Sequence, residues 1–131
     1  TDSSLGVIDY QDALIGPISY DLASLLRDYY SPLSRPLLQK LQKFYLNAAI
    51  SAGIIEINQT EFNKMFHITA LQRHLKVLGI FCRLCYRDNK KQYLPYLPTV
   101  AKYIKDAVAE LPEYEILYEL IPLQSVEQYA E

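Results

Sequence analysis

The sequence predicts a mainly α chain with one short strand near its N-terminus, and three observations carry that prediction. Apolar residues recur every three to four positions through most of the 131 residues, the period of a helix with one buried face. Asn58-Gln59-Thr60-Glu61 has the spacing of a capping box, the signature of a helix start. Only one run, Leu5–Asp9, combines β-branched residues with strand length, and a single strand makes no sheet.

The elements follow in chain order. Leu5–Asp9 is expected to be a strand whose partner lies outside these residues. Gly16-Pro17 punctuates the chain, and Ser19 or Asp21 can cap a helix running to about Tyr30. Pro36 opens a second helix, with a stripe at Leu37, Leu41, Phe44/Tyr45, Ala48 and Ala52 and Gly53 placed to stop it. The third stretch starts at the capping box and reaches about Tyr86. At about 29 residues it exceeds an ordinary globular helix, so a break near Phe66–Ile68 is expected. Its second half divides into a basic edge (Arg73, Lys76, Arg83, Arg87, Lys90) and an apolar one (Leu71, Leu75, Leu78, Cys82, Cys85). Asp88–Lys91 reads as a turn, Pro95–Pro98 opens a helix to about Leu111, and Pro112 and Pro122 mark two shorter ones.

Length and composition suit one domain: half of the residues are hydrophobic and 21% are charged. No stretch approaches the roughly 20 apolar residues of a membrane span. Thr1–Ser4 does not open a signal peptide, and two cysteines make no disulfide framework, so a cytoplasmic setting is the expectation. The net charge is −2, but its distribution is uneven. Residues 64–105 hold nine Lys/Arg against Asp88 alone, whereas residues 106–131 hold seven acids and no Lys or Arg. An acidic tail packed near a basic helix is the simplest reading. The overall acidity opposes nucleic-acid binding, which releases counterions only against a basic surface.

Cys82-Arg83-Leu84-Cys85 matches a C-x-x-C pattern, yet it falls mid-helix on the apolar face with no second pair. Zinc needs about four ligands and a redox pair needs a helix N-terminus, so two packed core cysteines are expected. His74 projects onto the apolar side, and neither it nor His67 has a triad-like setting. The more informative segment is Gly6–Leu26. A strand delivers Asp9 at its carboxyl end, Gln11 and Asp12 add hard oxygen ligands suited to Mg²⁺, and Asp21 arrives at a helix start. Spacing alone favours a stand-alone acidic turn.

Ile8-Asp9-Tyr10, Ala13, Gly16 and Tyr20-Asp21-Leu22-Ala23 resemble the I-D-[FYW]-x-x-A-x-x-G-x-P-x-[YF]-D-L-A pattern of the aminoglycoside phosphotransferase-like enzymes, relatives of the protein kinases, with Pro17 one position ahead of the pattern's proline. The resemblance implies a helical C-terminal subdomain of a protein-kinase-like α+β fold: residues 5–9 the strand, 9–21 the metal-site motif, 22–131 the helical bundle. It implies Asp9 as the magnesium ligand for ATP, with Gln11 and Asp12 as support. Asp21 becomes a buried scaffold bonded to the catalytic-loop backbone. A second stretch, Leu71–Phe81 with Tyr93–Pro98, is similar to bacterial kinases that phosphorylate the anomeric hydroxyl of N-acetylmuramate and N-acetylglucosamine in cell-wall recycling. The basic edge Arg73, Lys76 and Arg83 is a candidate to face a sugar acceptor, with a solvated helix face as the plainer alternative.

The departures are equally specific. Phosphoryl transfer in this superfamily uses a glycine-rich loop, a strand lysine and a catalytic loop bearing an Asp base and an Asn. Glycine occurs only at 6, 16, 53 and 79, and no H-x-D with a following Asn occurs in these residues. The chain is therefore expected to be a fragment, inactive alone, with exposed apolar surface inviting self-association. The rival reading is a non-catalytic helical interaction module derived from the same lobe.

Overall fold

The computed structural model describes residues 14–127. The expected strand, Asp9, Gln11 and Asp12 lie outside the described residues. Among those described there are six α-helices and no strand: α1 (Ser19–Leu26), α2 (Arg35–Ser51), α3 (Gln59–Tyr86), α4 (Leu97–Ala109), α5 (Leu117–Leu120) and α6 (Leu123–Glu127). Short 3₁₀ helices at Lys91–Tyr96 and Pro112–Tyr114 lead into and out of α4.

The organising element is α3. Its start is fixed by the predicted capping box: the Asn58 side chain accepts from the backbone N–H groups of Thr60 (2.9 Å) and Glu61 (3.0 Å). Glu61 in turn accepts from the Asn58 N–H at 3.0 Å. The break expected near Phe66–Ile68 is absent, and α3 runs 28 residues without interruption. The reason is tertiary: the helix serves two cores in succession. Phe62, Phe66 and Ala70 pack with Leu22, Ala23, Leu26, Leu38 and Leu46 of α1 and α2. Leu71, Leu78 and Phe81 pack with Leu97, Val100, Ile104 and Val108 of α4 and with Leu111 and Leu123 beyond it. Burial along the whole length offsets the entropy that limits isolated helices.

Other expectations need correction. The α1 helix ends at Leu26, four residues short of Tyr30. The Asp28 carboxylate accepts from the N–H groups of Tyr30 (3.3 Å) and Ser31 (3.0 Å), a local turn that competes with further helix. In α2 the buried stripe is Leu38, Gln42, Leu46 and Ala49, one position away from the stripe read from sequence. Phe44, expected inside, is 72% exposed, and Gln42 is only 6% exposed. Gly53 does stop α2 as expected. With φ of 67° it lets its own N–H reach Ile50 C=O (2.9 Å) and the Ile54 N–H reach Ala49 C=O (3.0 Å), a Schellman closure. Past α3, Asn89 takes the left-handed conformation (φ 52°), so Lys90 lies beyond the helical basic edge. α4 begins at Leu97, within the Pro95–Pro98 stretch expected to open it.

Candidate functional site

The segment read from sequence as a metal-site motif enters the described structure at Leu14–Pro17, all four exposed, and turns into α1 as the Tyr20 N–H bonds Pro17 C=O at 2.9 Å. Neither Ser19 nor Asp21 caps the helix; Ile18 occupies that position and no side chain caps it. Ser19 instead points inward and is completely buried, its Oγ 2.8 Å from Thr69 Oγ1 on α3. Thr69 donates its own proton to Met65 C=O (2.9 Å), so Ser19 is the donor of that pair. Tyr45 of α2 donates to Ile18 C=O at 3.0 Å. The start of α1 is thus tied to both neighbouring helices. Asp21, in its first turn, is exposed in this chain.

Of the three basic candidates, the structure brings one to this place. Arg73 is half-buried, its guanidinium carbon 6.0 Å from the centre of the Tyr20 ring beside Asp21, and its Nε is buried without a hydrogen-bond partner. Lys76 and Arg83 are exposed, and Arg83 sits about 15 Å further along the helix at 1.5 Å per residue. The three do not form one cluster.

Among the described residues, no ion pair joins the acidic C-terminal part to Arg73, Lys76 or Arg83. Its ion pairs reach other cations: Asp106 binds Arg27 (3.6 Å) and Lys102 (2.8 Å), Glu110 binds Arg35 (3.6 Å), and Glu113 binds Lys64 (2.8 Å). These acids are therefore matched both to Arg27 and Arg35 near the front of the chain and to Lys64 and Lys102 of the basic segment, Lys64 lying on α3 itself.

Next to Arg73, the sequence offered His74 as a buried histidine, and it is 0% exposed. Its Nδ1 lies 2.8 Å from Tyr29 Oη, while Nε2 has no partner. Burial, with Arg27 and Arg73 nearby, holds its pKa down to about 3, and burial pushes Tyr29 up to about 12. The pair is neutral at ordinary pH and functions as packing, with Phe81 and Tyr103 against Tyr29 at 6.0 and 5.8 Å between ring centres. Cys82 and Cys85 are free, half-buried and buried respectively, and burial raises both thiols, away from reactivity. Among the described residues no three His, Cys, Asp or Glu side chains are grouped to hold a metal. No described helix is long and apolar enough to cross a membrane.

Sequence reasoning passed over Thr69 and Tyr45, and gave Ser19 the role of a cap rather than of a buried partner to Thr69. Their signal was weak: a hydroxyl on an otherwise apolar helix face, which either points outward or must find a partner within.

The start of α1 falls inside a segment that this chain shares with known proteins. Residues 1–53 match the family model described as the phosphotransferase enzyme family. The chain is 43% identical over 127 residues to the N-acetylmuramate/N-acetylglucosamine kinase of Neisseria meningitidis serogroup B, covering 93% of this chain and 38% of that protein. Proteins of the same name from Pseudomonas aeruginosa and Pseudomonas putida are 40% and 37% identical, over 96% and 88% of this chain and 37% and 34% of theirs. The chain is a relative of the kinase-like phosphotransferases. It spans a little over a third of the length of these curated relatives. Its helices are those of a C-terminal lobe of the kinase-like fold, the class expected from the sequence. No solved structure matches this phosphotransferase relative.

Proposed function

We propose that this chain contributes the helical C-terminal lobe to an ATP-dependent kinase acting on a hydroxyl of an amino sugar such as N-acetylmuramate or N-acetylglucosamine. The observation that carries the reading is identity of about 40% running across nearly the whole chain to kinases of that name. On this reading Asp9, supported by Gln11 and Asp12, holds the magnesium that neutralises developing charge on the transferred phosphoryl group. Asp21 accepts hydrogen bonds from the catalytic-loop backbone, and its exposure in this chain suits an acceptor whose donors belong to another segment. On the same reading Arg73 is the basic residue assigned to an acceptor sugar, ahead of Lys76 and Arg83, and its position 6.0 Å from the Tyr20 ring at the start of α1 supports that choice. The catalytic base, phosphate loop and strand lysine come from sequence beyond these 131 residues, and the chain alone is inactive.

A chimera tests this. The stretch of the Neisseria relative that aligns with this chain is replaced by this chain, and ATP-dependent phosphorylation of N-acetylmuramate is measured. The chimera is expected to turn over within about tenfold of its parent, a barrier change near 1.4 kcal/mol. Asp9→Ala in the chimera should abolish turnover and leave the melting temperature unchanged. A folded chimera without activity, or full activity after Asp9→Ala, would remove the assignment.

A further inference from the structure

At the opposite end of α1 from the phosphotransferase motif, a cavity of about 440 Å³ opens between the turn after α1, α2, α3 and α4. Arg27, Gln42 and His67 all line it. Each of the three carries a buried nitrogen without a hydrogen-bond partner: Arg27 Nε, Gln42 Nε2 and His67 Nδ1. Such orphans cost free energy, about 1–3 kcal/mol each when nothing satisfies them, and folded proteins seldom keep several around one space. Here three of the five orphaned side-chain nitrogens of the described residues meet at a single cavity.

The side chains are also held in place. Arg27 is 13% exposed, its guanidinium lying 5.1 Å from the Tyr103 ring centre while Nη1 faces Asp106 at 3.6 Å. That arrangement occupies one edge of the guanidinium and leaves Nε uncommitted. Gln42 is buried in the middle of α2, a position where an aliphatic residue would satisfy the fold at lower cost. Arg27 Nε and Gln42 Nε2 can only donate. Arg35 and Lys102 add positive charge on the rim, and the acids there, Asp106 and Glu110, are already paired with Arg27, Lys102 and Arg35. Three cations against two acids leave the lining with one excess positive charge. The volume falls in the range of small-molecule sites and exceeds what a bare inorganic ion needs.

We infer that this cavity is a binding site for a small organic anion, a carboxylate or phosphate ester of about monosaccharide size, held by Arg27 and Gln42 with His67 completing the polar wall. It lies at the far end of α1 from Asp21, about 9 Å along the helix axis, and does not depend on the phosphotransferase reading.

Calorimetric titration of the 131-residue chain with citrate and with glucose 6-phosphate reads the site directly, and amide spectra locate it. Saturable binding is expected by about 10 mM, where even a millimolar site fills. The carboxylate and the phosphate ester distinguish the two sources of negative charge, and binding of either supports the site. Gln42→Leu removes the buried donor without leaving a charge, so it should keep or raise the melting temperature while weakening binding about tenfold or more. Arg27→Gln should weaken it further, and Lys91→Gln, on a distant exposed position, should leave it unchanged. Absence of saturable binding by both anions overturns the inference, as does equal weakening by Lys91→Gln, which marks non-specific charge attraction. Undiminished binding by a folded Gln42→Leu chain also overturns it and leaves the cavity to water.

Discussion

The two cores strung along α3 are built differently. The core shared with α4 is closed on several sides: Tyr29, Leu97, Val100, Tyr103, Ile104, Leu111 and Leu123 surround Leu71, Leu78 and Phe81, with Tyr93 and Tyr96 packed outside. The core shared with α1 and α2 is smaller and closed on fewer sides. There α2 offers one narrow face and leaves Leu37, Phe44 and Ile50 to the exterior. Leu14, Ile15 and Leu25 are exposed at the same end. One helix, with one continuous backbone, therefore supports a finished core at its C-terminal half and an open one at its N-terminal half. At the open end, α1 and α2 belong to the stretch matched by the phosphotransferase family model.

The largest test of that contrast is truncation of a large side chain in each core. Phe66→Ala in the open core and Ile104→Ala in the closed one each empty a fully buried position, at costs of about 3–5 and 2–5 kcal/mol. Because α3 is common to both, either substitution should lower a single melting transition seen identically by far-ultraviolet dichroism and tyrosine fluorescence. Two separate transitions would show that the cores unfold independently. Phe44→Ser serves as the control, and at an exposed position should change stability by no more than about 0.5 kcal/mol.

A smaller effect distinguishes the closed core by its histidine. In the unfolded chain His74 titrates near 6.5; in the folded chain it stays neutral down to about pH 3. Between those values the unfolded state binds more protons, so the stability His74 contributes is whole above pH 6.5 and is lost as pH falls toward 3. The slope approaches about 1.4 kcal/mol per pH unit once the unfolded imidazole is mostly protonated. His67, at the cavity, is also depressed by burial and adds in the same direction. Urea unfolding at pH 7 and pH 5 should show the loss, and His74→Phe should make it shallower. An unchanged slope in that variant would mean that His74 is accessible to protons in the folded state.

The smallest effect is a gain. Gly79 lies mid-helix in α3, exposed, and a methyl group added there would meet nothing within 4 Å. Gly79→Ala should stabilise the chain by about 0.5–1 kcal/mol, read as a higher urea midpoint. No gain would indicate that the helix is already strained at that turn.

Much of the closed core could be read in advance. The α4 pattern from Val100 to Val108 has a clear helical period, and Asn58 and Gly53 announced a helix start and stop through their own local chemistry. The face of α2 could not be read, because two overlapping stripes compete there. Leu37, Phe44 and Ala48 form the more apolar stripe, yet the neighbours bury the one that contains Gln42. The continuity of α3 was hidden for a related reason, since length alone argues for a break and only the second core argues against it. At the candidate site, Asp21 was placed correctly at the start of α1, but its capping role fell to no side chain because Ser19 turned inward to Thr69. The cavity at Gln42 had no sequence signal at all, since its three nitrogens come from separate elements.

An unbroken α3 also acts as a lever. Phe81, wedged at 5.1 Å between ring centres against Tyr93, and Thr69, bonded at 2.8 Å to Ser19, stand about 18 Å apart on the same rod. A tilt of about 5° pivoting at Phe81 would carry Thr69 some 1.5 Å sideways, enough to break a hydrogen bond of that length. Repacking in the closed core would thereby be converted into displacement at the start of α1, about 18 Å away.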